Sequence, residues 1–169
     1  MNENTEHETQ YSDEELMEAA QRCANTYAKI ANKELGTHIP IPVRVEFDLC
    51  DHDPKTAGRA YPNMKIGINL VLYRDNVKEF LNNVIPHEMG HLVQFDKFEL
   101  KGHTIQGHGV EWQEIMRRYG KDPQKYHHMD YYKAVEHFKA AKKEKVAEEK
   151  RAAKEAAIAE AKKLISKEA

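Results

Sequence analysis

The sequence predicts an α+β domain built on one core, from three observations: a capped amphipathic helix near the start, short alternating segments within 43–70, and a long helical face from residue 76. The 169 residues, 40% hydrophobic and 32% charged, suffice for one compact domain with a polar extension.

The first helix is marked at both ends. Ser12 with Glu15 forms an S-x-x-E capping box, and Leu16, Ala20, Cys23, Tyr27, Ile30 and Ala31 recur at three- and four-residue steps as far as Leu35 and Gly36. Pro40 and Pro42 end the pattern. Val43, Val45, Phe47 and Leu49 then alternate with Arg44, Glu46 and Asp48, the period of a half-buried strand. A polar turn over 51–55 leads to a second strand at Ala57, Gly58, Arg59, Ala60 and Tyr61. Pro62 and Asn63 turn the chain into 65–70, where Ile66, Ile68 and Leu70 alternate again. A small antiparallel sheet is expected.

Asn76, with Glu79 three residues on, reads as a second capping box, and Val77, Phe80, Leu81, Val84, Ile85, Leu92 and Val93 mark one helical face. Pro86 lies inside this face. It lacks an amide donor and crowds the preceding turn, so the helix is expected to kink or restart immediately before His87. Residues 96–107 read as a loop. Trp112, Ile115, Met116 and Tyr119 form a short helical stripe, with Trp112 read as core, closed by Gly120, Asp122 and Pro123. Beyond Tyr131 the composition turns to Ala, Lys and Glu, with Val135, Phe138, Val146, Ile158, Leu164 and Ile165 as the larger apolar residues. This predicts a long, weakly amphipathic helix. The expected division is a disordered acidic lead over 1–11, a domain over 12–130 and a charged helical extension over 131–169.

The net charge of −2 hides an uneven distribution. Seven acids and no Lys or Arg occur up to Glu18, whereas eleven bases face seven acids from Lys133 onward. Interleaved Lys and Glu on a helix make a solvated face, although a basic tail also offers phosphate contacts to DNA. Cys23 and Cys50 are the only cysteines and lack CxxC spacing, so neither suggests a disulfide framework, and Cys23 reads as a buried thiol. The first ten residues have neither a basic region nor an apolar run, and no segment has the length of a membrane span, so a cytoplasmic protein without a membrane partner is expected. No repeat or Gly-rich phosphate loop points to nucleotide chemistry.

The chemistry concentrates in His87-Glu88-Met89-Gly90-His91, an HExxH pattern. Residues four apart on a helix share a face, so the two imidazoles can bridge one Zn²⁺ with Glu88 beside it. A catalytic zinc site needs a third protein ligand and one open position. His108, seventeen positions after His91 and between Gly107 and Gly109, is the first choice, because small neighbours allow a close backbone approach. His103 on the same loop and Glu111, twenty positions after His91, compete for the role. Bound Zn²⁺ lowers the pKa of a water to about 7 and polarises a scissile carbonyl, while Glu88 takes the proton and passes it to the leaving amine. The strand at 65–70 runs just upstream of this helix, and an extended peptide could add to an exposed sheet edge beside the metal. Tyr126, His127 and His128 are candidates to stabilise an oxyanion, with no assignment among them.

Several motifs together resemble the SprT-like zinc metallopeptidases. They are Ala57-Gly58-Arg59-Ala60, Ile68-Asn69-Leu70, Val84-Ile85-Pro86-His87-Glu88-Met89-Gly90-His91, and His108-Gly109-Val110-Glu111-Trp112 with Met116, and the resemblance runs over 12–130. It implies a zincin-like α+β domain, one Zn²⁺ held by His87, His91 and His108 in preference to Glu111, and Glu88 as catalytic acid and base. It also implies a zinc endopeptidase acting on protein or peptide substrates, DNA-bound proteins among them. The chain departs from the bacterial pattern at the C-terminus, where a Cys-rich zinc ribbon is commonly found: no cysteine follows Cys50, and the charged helical tail replaces the ribbon. The rival reading is a non-catalytic, zinc-stabilised adaptor for nucleic acid or protein. A coiled-coil dimer through the tail is disfavoured by its sparse apolar positions.

Overall fold

The computed structural model describes residues 11–49, 52–98, 107–123 and 129–167. Residues 1–10, Cys50, His103, Tyr126, His127 and His128 lie outside them.

Helix α1 (Asp13–Ile30) begins at the expected box: the Ser12 hydroxyl accepts from Glu15 N–H at 3.2 Å, and the Glu15 carboxylate accepts from Ser12 N–H at 2.8 Å. Its buried ridge is almost all alanine, Ala20, Ala24, Ala28 and then Ala31 behind Leu16, with Cys23, Tyr27 and Ile30 half-buried on its flank. Small side chains let α1 lie close against α4 (Ile85–Lys97). A π-helical turn (Ala31–Leu35) closes it, and Gly36 at φ 65° supplies the left-handed cap. Two polar residues of α1 then receive the chain as it enters the sheet: Asn25 accepts from Val43 N–H at 2.9 Å and Gln21 donates to Val43 C=O at 2.6 Å.

The sheet has three strands, β1 (Arg44–Glu46), β2 (Gly58–Tyr61) and β3 (Lys65–Ile68), in the order β1-β3-β2. β2 and β3 form the expected antiparallel hairpin, turned through Met64 at φ 61°. β1 pairs parallel with β3, Val45 opposite Ile66, so the sheet is mixed, and the all-antiparallel expectation is corrected. Alternation encodes which face is buried; it carries no strand direction. A second correction follows. β3 is central and bonded on both sides, so it has no free edge for a peptide.

The third strand stops at Ile68. Asn69, fully buried, caps α2 (Leu70–Asp75) by accepting from Leu72 N–H at 3.3 Å, and its own N–H donates to Ala57 C=O at 2.9 Å. The expected box at Asn76 and Glu79 does not form. Asn76 turns back to donate to Leu72 C=O at 2.9 Å, and Glu79 accepts from Asn83.

From Val77 the chain stays helical to Lys97, through α3 (Val77–Glu79), a π-helical turn (Phe80–Val84) and α4, so the loop expected from Asp96 begins later. Pro86 sits in the first turn of α4, where its missing N–H is tolerated, and the break expected at His87 is a π turn placed just before it. Ile85 N–H reaches back five residues to Phe80 C=O, and Pro86 has no N–H to give Leu81. The Cys23 thiol donates to that Leu81 carbonyl at 3.2 Å. Burial pushes this thiol up to about 11, against Lys121, so it stays protonated as a donor.

Helix α5 (Val110–Arg118) covers α4 with Trp112, Ile115 and Met116, and Gly120 at φ 68° ends it. Helix α6 (Tyr132–Lys167) buries Ala134 against the core and is exposed from Lys142 to Glu160. No helix among the described residues is long and apolar enough to cross a membrane.

Candidate metal centre

Three histidines converge from one helix and the turn before another. His87 and His91 stand one turn apart on α4, and the chain entering α5 brings His108 opposite them. The Nε2 atoms lie 3.2 Å apart for His87 and His91, 3.2 Å for His91 and His108, and 2.9 Å for His87 and His108. Among the described residues these three form the cluster that could hold a metal ion.

The donor set fits zinc. Three imidazole nitrogens are a standard catalytic set, and tetrahedral ligands at Zn–N 2.0–2.1 Å are about 3.3 Å apart, close to the separations here. Burial pushes His91 down to about 4, aided by His108 and opposed by its bond to Gln94, so this imidazole is neutral at pH 7 as a ligand must be.

Trp112 is the floor under the cluster. Its fully buried ring lies 4.6 Å from His87, 5.7 Å from His91 and 4.8 Å from His108, centroid to centroid, and its Nε1–H donates to His87 C=O at 3.3 Å. Gly90 makes room for it: a Cβ there would meet Trp112 Nε1 at 2.8 Å. Trp112 is thus core, as expected, and also fixes the imidazoles in place.

Glu88 is buried against the sheet, and its Oε2 accepts from Ala60 N–H of β2 at 2.8 Å. Burial raises this carboxyl to about 7, with the Ala60 N–H and the Arg59 charge pulling the other way. Gly58 of the same strand lies against it, where a Cβ would meet Glu88 Cγ and Val84 Cγ1 at 2.9 Å each. The Ala57-Gly58-Arg59-Ala60 motif therefore has a physical reason: one residue admits the Glu88 side chain and another holds its carboxylate.

His87, His91 and His108 are thus brought together, and Glu88 follows His87 on the same helix with its carboxyl held by β2. Glu111 is exposed and lines a different depression, with Glu34, Lys97 and Arg118. The reasoning from Gly107 is corrected: a Cβ there would meet nothing within 4 Å, so its small size is not what lets His108 approach. Sequence reading missed Gln94, whose Oε1 lies 2.9 Å from His91 Nδ1. Its position three residues after a candidate ligand was the available signal.

Comparisons with known proteins identify the relatives of the chain. Protein SprT of Yersinia pseudotuberculosis serotype IB (strain PB1/+) is 34% identical over 110 residues, covering 64% of this chain and 59% of that protein. Protein SprT of Vibrio atlanticus (strain LGP32) is 33% identical over 100 residues, 59% and 55% of the two chains. Protein SprT of Pseudomonas putida is 46% identical over 63 residues, 37% of each. The chain spans about three fifths of the length of the Yersinia relative it matches. No solved structure matches it. The model of the SprT-like family matches residues 20–137, which is more than half of the sequence, and the chain belongs to that family.

Proposed function

We propose that the chain is a zinc endopeptidase of zincin-like architecture, with His87, His91 and His108 as the ligands and Glu88 as the general base. The observation that carries this reading is the meeting of three Nε2 atoms within 3.2 Å beside a buried carboxyl on the same helix. Zinc, when bound, supplies Lewis-acid polarisation of a scissile carbonyl and a lowered pKa for water.

The chain's own residues supply the rest. Ala60 N–H holds Glu88 Oε2, which leaves Oε1 to accept the proton of the attacking water and to return it to the departing amine. Burial raises the Glu88 carboxyl, whereas a cation on the neighbouring histidines lowers it, and the two effects together poise a base for neutral pH. An extended substrate finds its edge on β2, whose outer side lies beside Glu88, because β3 is paired on both sides. DNA-bound proteins are the proposed substrates within a cytoplasmic setting. The exposed lysines Lys139, Lys143, Lys150 and Lys154 of α6, spaced along one side of that helix, support DNA contact.

The test is metal content together with cleavage of a generic protein substrate, each with and without single-stranded DNA. One zinc per chain and cleavage lost in Glu88→Gln, with zinc kept, are expected. Wild-type protein that holds zinc yet cleaves nothing under either condition overturns the peptidase reading in favour of an adaptor stabilised by its metal.

A further inference from the structure

Gln94 is completely buried, and a primary amide in such a place is costly unless its polar ends are bonded. Its Oε1 lies 2.9 Å from Nδ1 of His91, one turn back on α4. The other nitrogen of that ring, Nε2, faces His87 and His108 at 3.2 Å each. The two ends of His91 therefore meet opposite demands. A side-chain oxygen accepts, so the nitrogen facing it must carry the proton, and a neutral imidazole carries only one. The same ring in its other tautomer would put an N–H into the middle of the histidine cluster, where a cation needs a lone pair.

We propose that Gln94 is a positioning residue of the metal centre, its Oε1 holding His91 in the Nδ1–H tautomer so that the Nε2 lone pair points at the ion. The proposal rests on reading His87, His91 and His108 as a metal centre. Ligating histidines commonly give their second ring N–H to a carboxylate or carbonyl, which fixes the ring and raises its basicity. Here the acceptor is an amide. At zero exposure a neutral acceptor avoids the desolvation of a second buried carboxylate on the helix that already carries Glu88. An amide is also ambivalent: turned end for end, its NH₂ would select the opposite tautomer. The inference thus concerns a particular orientation and can fail.

The direct measurement is a long-range ¹H–¹⁵N correlation spectrum of the imidazoles in metal-free wild-type protein at pH 7.5. His91 is expected as the Nδ1–H tautomer, and an Nε2–H tautomer overturns the proposal whatever any variant does. Zinc affinity, measured against a competing chelator, is expected to weaken about 10- to 100-fold in Gln94→Met, which keeps the volume and loses the acceptor. Gln94→Glu, which keeps an oxygen at the same place, is expected to restore most of that affinity. Thermal midpoints of the metal-free variants separate this effect from lost folding, since Gln94→Glu rescues zinc binding without needing to rescue the apo midpoint. Gln94→Met with unchanged zinc affinity and an unchanged His91 tautomer also overturns the proposal. Wild-type protein that takes up no zinc overturns the metal-centre reading instead, and the tautomer in the metal-free protein then still decides what Gln94 does.

Discussion

The bond from Cys23 to the Leu81 carbonyl joins α1 to the turn that precedes the histidine helix, and its strength can be measured. In Cys23→Ala the carbonyl loses its thiol donor, which costs about 1 kcal/mol for a half-buried group. Loss of the half-buried sulfur costs about 1 kcal/mol more in contacts. The sum, about 2 kcal/mol, lowers the midpoint of a chain this long by about 4–8 °C. Cys23→Ser returns a hydroxyl donor but less bulk, so its midpoint is expected to lie about 2–4 °C above that of the alanine variant. The assay is calorimetry on metal-free protein, because bound zinc would add its own stabilisation. A sharper arm uses Pro86. Pro86→Ala supplies an amide N–H within reach of the same carbonyl, in the geometry by which Ile85 N–H reaches Phe80. In that background Cys23→Ala should cost about 1 kcal/mol less. Equal midpoints for the serine and alanine variants, or additive effects of the two sites, would show that packing alone matters at Cys23.

Other outcomes follow from the same structure. Gly58→Ala places a methyl 2.9 Å from Glu88 Cγ and Val84 Cγ1, so a loss of about 1–3 kcal/mol is expected in urea unfolding, with cleavage reduced more than zinc content. The Cys23 thiol, raised from its ordinary 9.0 to about 11, should alkylate about 100-fold more slowly at pH 8 in folded than in unfolded protein, and equal rates would refute its burial. Because its folded value is the higher, its contribution to stability is complete below pH 9 and is lost as pH rises through 11, so the gap between wild type and Cys23→Ser should narrow over that window. Removal of zinc by a chelator should lower the thermal midpoint, since a ligand present at 1,000 times its Kd adds about 4 kcal/mol. An unchanged midpoint would mean that no ion is held.

What could be read from the sequence was local. The Ser12 and Glu15 box, the helix around His87 and His91, and the stripe containing Trp112 each depend on residues within a turn or two of one another, and each forms. His108, seventeen residues beyond His91, also joins the cluster, and it was legible because a catalytic zinc site requires a third protein donor. Pairing between distant segments was not legible. β1 runs parallel to β3 because the intervening strand folds back on the far side, and nothing in the alternation of Val43 to Leu49 states that direction. The capping signal at Asn76 failed for a related reason. Asn69 had already opened a short helix, and Asn76 was drawn back to its last turn, donating to Leu72 C=O. Ala60 holds Glu88 through a backbone amide, which leaves no trace in the identity of the residue.

Trp112 is the only tryptophan in the sequence, and it sits beneath all three imidazoles. Indole emission responds to a neighbouring imidazole and to the charge that imidazole carries or holds. The protein therefore contains its own optical gauge, one chromophore within 6 Å of three ring centroids, with no second tryptophan to dilute the signal. Occupancy of the histidine cluster can be followed by fluorescence in unlabelled protein, at concentrations far below those of calorimetry and without a substrate in hand.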